Sequence, residues 1–208
     1  MYREIKTSFC IPSSYNHFDL LIELLESIKG YSEKPDEVVV SISGIPQENH
    51  ENISKKLNGF TEILEIPVKA LTANEKNLSG RNRNICMKNS KNDLIIFNDA
   101  DDLSHPDRIQ VIKKIFKDNE EVCHLTHSFM STRISDKFSI NESMKWEKNL
   151  DYKIEKFNSQ KIKDCNQYVI GDNKHIHNGA SSFFFVKNWQ HKIQRKHSRL
   201  RDLGRSRF

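Results

Sequence analysis

Three carboxylates fall within four positions, Asp99-Ala100-Asp101-Asp102, directly behind the apolar run Leu94-Ile95-Ile96-Phe97. Acids packed this closely repel one another, and a divalent cation between them offsets the repulsion. Oxygen donors suit Mg2+ or Mn2+, ions held by one or two carboxylates together with the phosphates of a substrate. Taken alone, an Asp-x-Asp-Asp pattern also describes a solvated acidic turn that caps the next helix. Both readings stand on these residues alone. In open α/β sheets ligands bind beyond the carboxyl ends of the strands, and that is where these acids stand.

Other residues share such positions. The first apolar run ends in Ile11-Pro12-Ser13-Ser14-Tyr15-Asn16, Leu78-Ser79-Gly80-Arg81-Asn82-Arg83-Asn84 precedes the acidic strand, and His105-Pro106-Asp107-Arg108 follows it. Arg83 carries a planar cation suited to phosphate or a base edge, with Arg81 as a competitor. The plain alternative for Arg83 is a pair with a surface carboxylate, and for Pro12 and Tyr15 a strand-end turn. Further on, His175 and His177 would share one face of a strand. His177 is the metal ligand taken from this segment, against an alternative of ordinary surface polarity. His124 and His127 flank Leu125 and Thr126 in an apolar stretch and read as satisfied residues near the core.

The elements that must position these groups follow from periodicity. Residues 5–11 read as a strand closed by Pro12. Phe18, Leu21, Leu24, Leu25 and Ile28 recur at helical spacing over 17–29. The β-branched run in EVVVSIS reads as a strand buried on both faces, ended by Gly44 and Pro46. A weak helix over 48–58, a strand over 61–66 stopped by Pro67, and a helix over 79–90 come next. Leu94–Phe97 is the fourth strand. A helix capped by Ser104 carries Ile109, Ile112, Ile115 and Phe116 inward, and a strand follows over 121–130. Strands alternating with helices imply an α/β sandwich on a largely parallel sheet. Residues 131–180 are irregular and polar with scattered aromatics, an insertion or a pair of antiparallel strands, and 181–186 form a last strand.

The chain has 208 residues, enough to bury a core without disulfides or metal staples. Its 36% hydrophobic and 29% charged residues describe a polar globular protein, and no window approaches the apolar length of a membrane span. Four scattered cysteines form no CxxC pair, which argues against a zinc ribbon or thioredoxin-like site and fits a reducing compartment. The charged N-terminal segment is unlike a signal peptide, so the expected location is cytoplasmic. Residues 187–208 hold eight Lys and Arg against Asp202, a net of +7, which leaves −2 for residues 1–186.

The order and spacing of PSSYN, the Gly80–Asn84 segment, the acidic strand end and His105-Pro106 resemble the GT-A glycosyltransferases, specifically the family-2-like group. The resemblance covers residues 5–117 well and 175–208 poorly. It implies the GT-A fold: a central, mostly parallel sheet flanked by helices, with a short antiparallel portion in the C-terminal half. It implies a single domain over 1–208, with a nucleotide-sugar-binding half at 1–117, an acceptor-side half at 118–186 and a basic tail at 187–208. It also implies transfer of a sugar from a nucleotide-diphosphate donor, UDP-linked by preference, to a glycan, glycoprotein or lipid-linked acceptor, with Mn2+ or Mg2+.

Site residues follow from the same resemblance. Asp99 and Asp101 match the positions that contact the ribose and the diphosphate-bound metal, with Asp102 a third ligand that the sequence cannot rank. Arg83 would face the nucleotide, and Pro12 and Tyr15 border the base. Relatives often carry a base-recognising Asp after the second strand. Here Ser41-Ile42-Ser43-Gly44 stands instead, so the hydroxyl of Ser43 would have to serve.

The general base is a larger departure. An inverting transfer needs a group to take the acceptor's proton, in the family an acid of a late Gly-Glu-Asp run. This chain ends Gly204-Arg205-Ser206-Arg207-Phe208. Three explanations stand open: a base from elsewhere (Asp172 first, then Asp202 or Asp164), a retaining transfer, or an altered copy that binds donor and transfers poorly. A sugar-phosphate nucleotidylyltransferase is a further alternative, weakened by the absence of a glycine-rich loop after the first strand. Whether a longer protein continues past residue 208 stays open. Trp189, Ile193, Leu200 and Leu203 at helical spacing make the tail a basic amphipathic helix. It would lie on an anionic membrane surface or pack on the domain, and nucleic acid is not the expected partner.

Overall fold

The computed structural model describes residues 4–118 throughout, and the backbone of 122–128, 154–157, 166–170 and 176–184, with the side chain of Leu125. Strands and helices alternate: β1 (Thr7–Ser14), α1 (Phe18–Ser27), β2 (Glu37–Ser43), α2 (His50–Leu64), β3 (Val68–Ala73), α3 (Ser79–Asn89), β4 (Leu94–Phe97), α4 (Arg108–Asp118) and β5 (Val122–Ser128). Then come β6 (Ile154–Phe157), β7 (Asn166–Ile170) and β8 (Ile176–Phe184). All eight strands join one sheet in the order β3-β2-β1-β4-β8-β5-β7-β6. The first four are mutually parallel. β8 runs antiparallel to both β4 and β5, and β6 antiparallel to β7, while β5 and β7 are parallel. The expected parallel sheet with a short antiparallel portion is what forms.

Strand alternation splits the core in two. Phe9, Ile11, Val38, Val40, Ile42, Leu94 and Ile96 pack with the apolar faces of α1, α2 and α4. Cys10, Val39, Ile95 and Phe97 project into a smaller cluster with Cys86 of α3. Both faces of β1, β2 and β4 are therefore covered, which explains their unbroken burial.

The 61–66 strand is not formed. The spacing Ile53, Leu57, Phe60, Leu64 keeps one helical face buried to the end of α2, and that periodicity outweighs the local alternation of TEILEI. The helix stops at Glu65, which is left-handed with φ 59°. Pro67 stands before a strand rather than after one: its carbonyl accepts the Val38 N–H at 2.9 Å as β3 begins. β3 is an edge strand, with only Val68 buried, so it carried little hydrophobic signal.

Pro12 also falls inside its strand. It pairs in register with Ser41 of β2, but β4 has already ended at Phe97, opposite Cys10. The Cys10 carbonyl accepts from Asn98 on the β4 side, and two residues on, the position of the missing Pro12 N–H faces that same side. No ladder bond is lost, and proline is tolerated where a neighbouring strand has departed.

α3 is mostly polar and is held by hydrogen bonds more than by apolar packing. Asn82, 2% exposed, donates through Nδ2 to the Ser13 carbonyl at 2.7 Å and the Ser43 Oγ at 3.0 Å. Its Oδ1 accepts from Ser41 Oγ at 3.2 Å and Asn77 Nδ2 at 3.1 Å. All four bonding positions of the amide are used, and α3 is tied to the ends of β1 and β2.

Two outcomes test these assignments. Leu64→Ala should cost about 2–5 kcal/mol, and Ile63→Ala, 48% exposed in the protein, about 0.5 kcal/mol or less. Equal losses in urea denaturation would place 61–66 in an extended segment buried on both faces. Asn82→Ala should cost about 1–3 kcal/mol by orphaning buried hydroxyl and carbonyl groups, and an unchanged denaturation midpoint would remove the amide from its anchoring role.

Candidate functional site

The chain proceeds β1, β2, β3 outward on one side of β1 and returns with β4 on the other, so the strand order reverses between β1 and β4. Crevices at such reversals, at the carboxyl ends of the strands, are where open α/β sheets take ligands. β1 continues to Ser14 there while β4 gives way to Asn98 and the acidic turn. The Asp102 N–H closes that turn on the Asp99 carbonyl at 3.1 Å.

The structure separates the three acids. Asp99 is largely covered, 22% exposed, and its Oδ1 accepts from Arg83 Nη2 at 2.5 Å. Asp101 is 49% exposed and faces the loop after β1, where His17 Nδ1 lies 3.9 Å from its Oδ2. That separation exceeds a hydrogen bond. Asp102 is half-buried. Sequence reasoning passed over His17, because a lone histidine after PSSYN has no signal until β1 and β4 bring the two loops together.

Arg83 is drawn to Asp99 by α3, whose Asn82 is pinned below. Its Nε is buried without a hydrogen-bond partner among the described residues, so the side chain is committed through Nη2. Arg81 is exposed. Tyr15 sits in a short 3-10 turn over Tyr15–His17, packs near Phe18 and accepts a hydrogen bond from Asn49 Nδ2 at 3.1 Å. It leans toward α2.

Ser43 lies 1% exposed, with its Oγ already accepting from Asn82 Nδ2 and from the Asn77 N–H at 3.2 Å. Both lone pairs are used within the protein, so the hydroxyl has only its own proton left to donate. The neighbouring Gly44 turns with φ 78°, and a Cβ built there would stand 3.0 Å from Lys76 Cγ. A side chain at 44 would thus strain the backbone and crowd the 74–78 loop.

His177 belongs to β8 and pairs in register with His127 of β5. Asp164, Asp172, Asp202, His175 and the tail with Trp189 lie outside the described residues. Among the described residues, no group of three or more His, Cys, Asp or Glu is arranged to hold a metal, and no helix is long and apolar enough to cross a membrane. The donor set at the crevice, Asp101 with His17 opposite, fits an ion that arrives with a phosphorylated ligand and takes most of its oxygens from it.

Comparisons with known proteins bear on the family and the fold. The domain model for glycosyl transferase family 2 matches residues 8–178. S. aureus TarS 1-349 in complex with UDP is similar in structure, with a TM-score of 0.50 and 19% identity over 62% of this chain and 37% of that one. A mannosyltransferase from Pyrobaculum calidifontis, PcManGT in complex with GDP-Man and Mn2+, gives a TM-score of 0.48 and 16% identity over 60% of this chain and 35% of that one. The chain thus spans little more than a third of the length of these structures. A search of curated proteins finds no significant match. The family match covers most of the chain, including the acidic turn, Arg83 and the strand reversal that joins them, and this chain belongs to glycosyl transferase family 2.

Proposed function

We propose that residues 1–117 form the donor half of a glycosyltransferase that moves a sugar from a nucleoside-diphosphate carrier, UDP-linked by preference, to a glycan, glycoprotein or lipid-linked acceptor. The observation that carries the reading is the unequal standing of Asp99 and Asp101 on one turn. Asp99, braced by Arg83 through Oδ1, has Oδ2 left to accept from a sugar hydroxyl, as the ribose of a nucleotide would offer. Asp101, exposed and less constrained, is the carboxylate free to join a cation. TarS, which shares the fold, is described with UDP, and that supports the base preference.

Asp101, with Asp102 beside it, would hold Mn2+ or Mg2+. Such an ion supplies Lewis-acid stabilisation of charge on a departing diphosphate. Arg83 would add its fixed charge next to the nucleotide, and the Arg83–Asp99 pair holds the hydroxyl acceptor in place before ligand arrives. Preorganisation of this kind lowers the ordering cost of binding. Asp172, with Asp202 second, is proposed as the base that takes the acceptor's proton, and His177 as a further metal ligand. The basic segment 187–208 would rest on an anionic membrane surface beside a lipid-linked acceptor, within a reducing compartment.

A second reading is a module that binds nucleotide sugar without transferring it. Arg205 and Ser206, standing where relatives place acids, favour it. Calorimetric titration of UDP, GDP and CDP, each with and without Mn2+, tests the donor site, and release of free sugar from the matching donor separates the two readings. The expected result is tight binding of one nucleoside diphosphate only with Mn2+. Asp101→Ala should remove that metal-dependent gain and leave the melting temperature within a few degrees, because an exposed turn carboxylate contributes about 0.5 kcal/mol or less to folding. Unchanged metal-dependent affinity in that variant would overturn the assignment of Asp101.

A further inference from the structure

Behind the acidic turn lies a buried charge that the site itself does not use. Arg108, the first residue of α4, is only 8% exposed. Its Nη2 donates to the carbonyl of Phe97, the last residue of β4, at 2.7 Å. Its Nη1 donates to Asn98 Oδ1 at 2.7 Å and to Ser104 Oγ at 3.0 Å. Ser104 in turn donates to the same Asn98 oxygen. With its oxygen fixed from one side, the Asn98 amide can point its two N–H groups only the other way. They reach the Asp99 carbonyl at 2.9 Å and the Asp102 carbonyl at 2.7 Å. One side chain therefore grips both ends of the turn that carries the three acids, and one guanidinium sets the orientation of that side chain.

We infer that Arg108 is a positioning residue for the acidic turn, acting through Asn98 to fix the spacing of the carboxylates that receive the donor. The inference rests on the proposed reading of that turn as the donor site. Only a planar fork reaches a strand-end carbonyl and a side-chain oxygen together, which a lysine at 108 would not reproduce. Burial of the charge is opposed by the same acids. Burial pushes the guanidinium down to about 10, against the pull of Tyr31, Asp102 and Asp99, so it stays charged at neutral pH. The guanidinium carbon also lies 6.0 Å from the centroid of the Phe9 ring. An alternative role, anchoring α4 to the sheet, would need the contacts to Phe97 and Ser104 but not the relay through Asn98.

Asn98→Asp and Arg108→Met separate the two. Asn98→Asp keeps an acceptor for Arg108 but deletes both N–H groups that hold the turn, so the α4 anchor survives. Two quantities are read: amide hydrogen exchange at Asp102, against amides of β1 as internal control, and the Mn2+-dependent gain in UDP affinity. The expected result for Asn98→Asp is exchange at Asp102 faster by about tenfold or more with β1 unchanged, and a loss of about tenfold or more in the Mn2+-dependent gain. Arg108→Met should do the same, and the double variant should lose no more than either alone, because the two residues act in series. Should Arg108→Met fail to fold, Asn98→Asp decides by itself.

Unchanged exchange at Asp102 in folded Asn98→Asp would overturn the relay. Faster exchange with an intact Mn2+-dependent gain would overturn it also, since the grip would then have no bearing on the site. If the unaltered protein shows no Mn2+-dependent UDP binding, the donor reading fails, and the exchange measurement alone judges the relay.

Discussion

The early end of β4 is the constraint on which the crevice depends. β1 and β4 pair from Thr7–Leu94 to Cys10–Phe97, one further bond joins Asn98 N–H to the Cys10 carbonyl, and then β1 runs on toward Ser14 without that neighbour. A strand end inside a sheet leaves backbone groups and space that must be managed. Proline at 12 removes a donor that would have had no partner. Asn98 turns the chain out of the sheet and satisfies two turn carbonyls from within. Asp101 is thereby brought to face the loop that carries His17, while Asp99 is held by Arg83.

Two buried polar clusters flank that gap and differ in kind. On the β2 side Asn82 holds Ser13, Ser41, Ser43 and Asn77 in a neutral network, each position of the amide matched. On the β4 side Arg108, Asn98 and Ser104 form a charged one, neutralised by the acids above it. Partly satisfied polar networks are destabilising in a core, whereas completed ones specify a single geometry. Both here are built around an amide whose two ends are committed in opposite directions, and both hold the backbone that carries Arg83 or the acidic turn.

This arrangement also bears on how a base is read. Under the proposed donor reading, the Ser43 hydroxyl, buried in the Asn82 network, would have only its own proton to offer a base. Tyr15 is tethered to Asn49 at the entrance to α2. Under the same reading the acceptor side would depend on segments after β5, and the solved structures of similar fold extend well beyond the span this chain covers.

Much of the fold was legible in the residues. The period-3.6 faces of α1 and α4, the β-branched run of β2 and the apolar β4 stand out because burial on one or both faces dictates residue type directly. Asp99 and Asp101 could be singled out because the end of an apolar strand is visible in one dimension. β3 was misplaced because an edge strand buries little, and a helix ending at Leu64 resembles an alternating strand when only TEILEI is viewed. The partner of Arg83, the committed hydroxyl of Ser43, the approach of His17 to Asp101 and the grip of Arg108 on Asn98 were not legible. Each joins residues whose types are common and whose separation along the chain bears no fixed relation to distance in space. The sequence by itself determined which segments would become strands and helices and which strand end would carry acids. Only the tertiary structure decided which acid is braced and which is open, because that depends on β4 ending beside β1 and on what α3 and α4 bring to that edge.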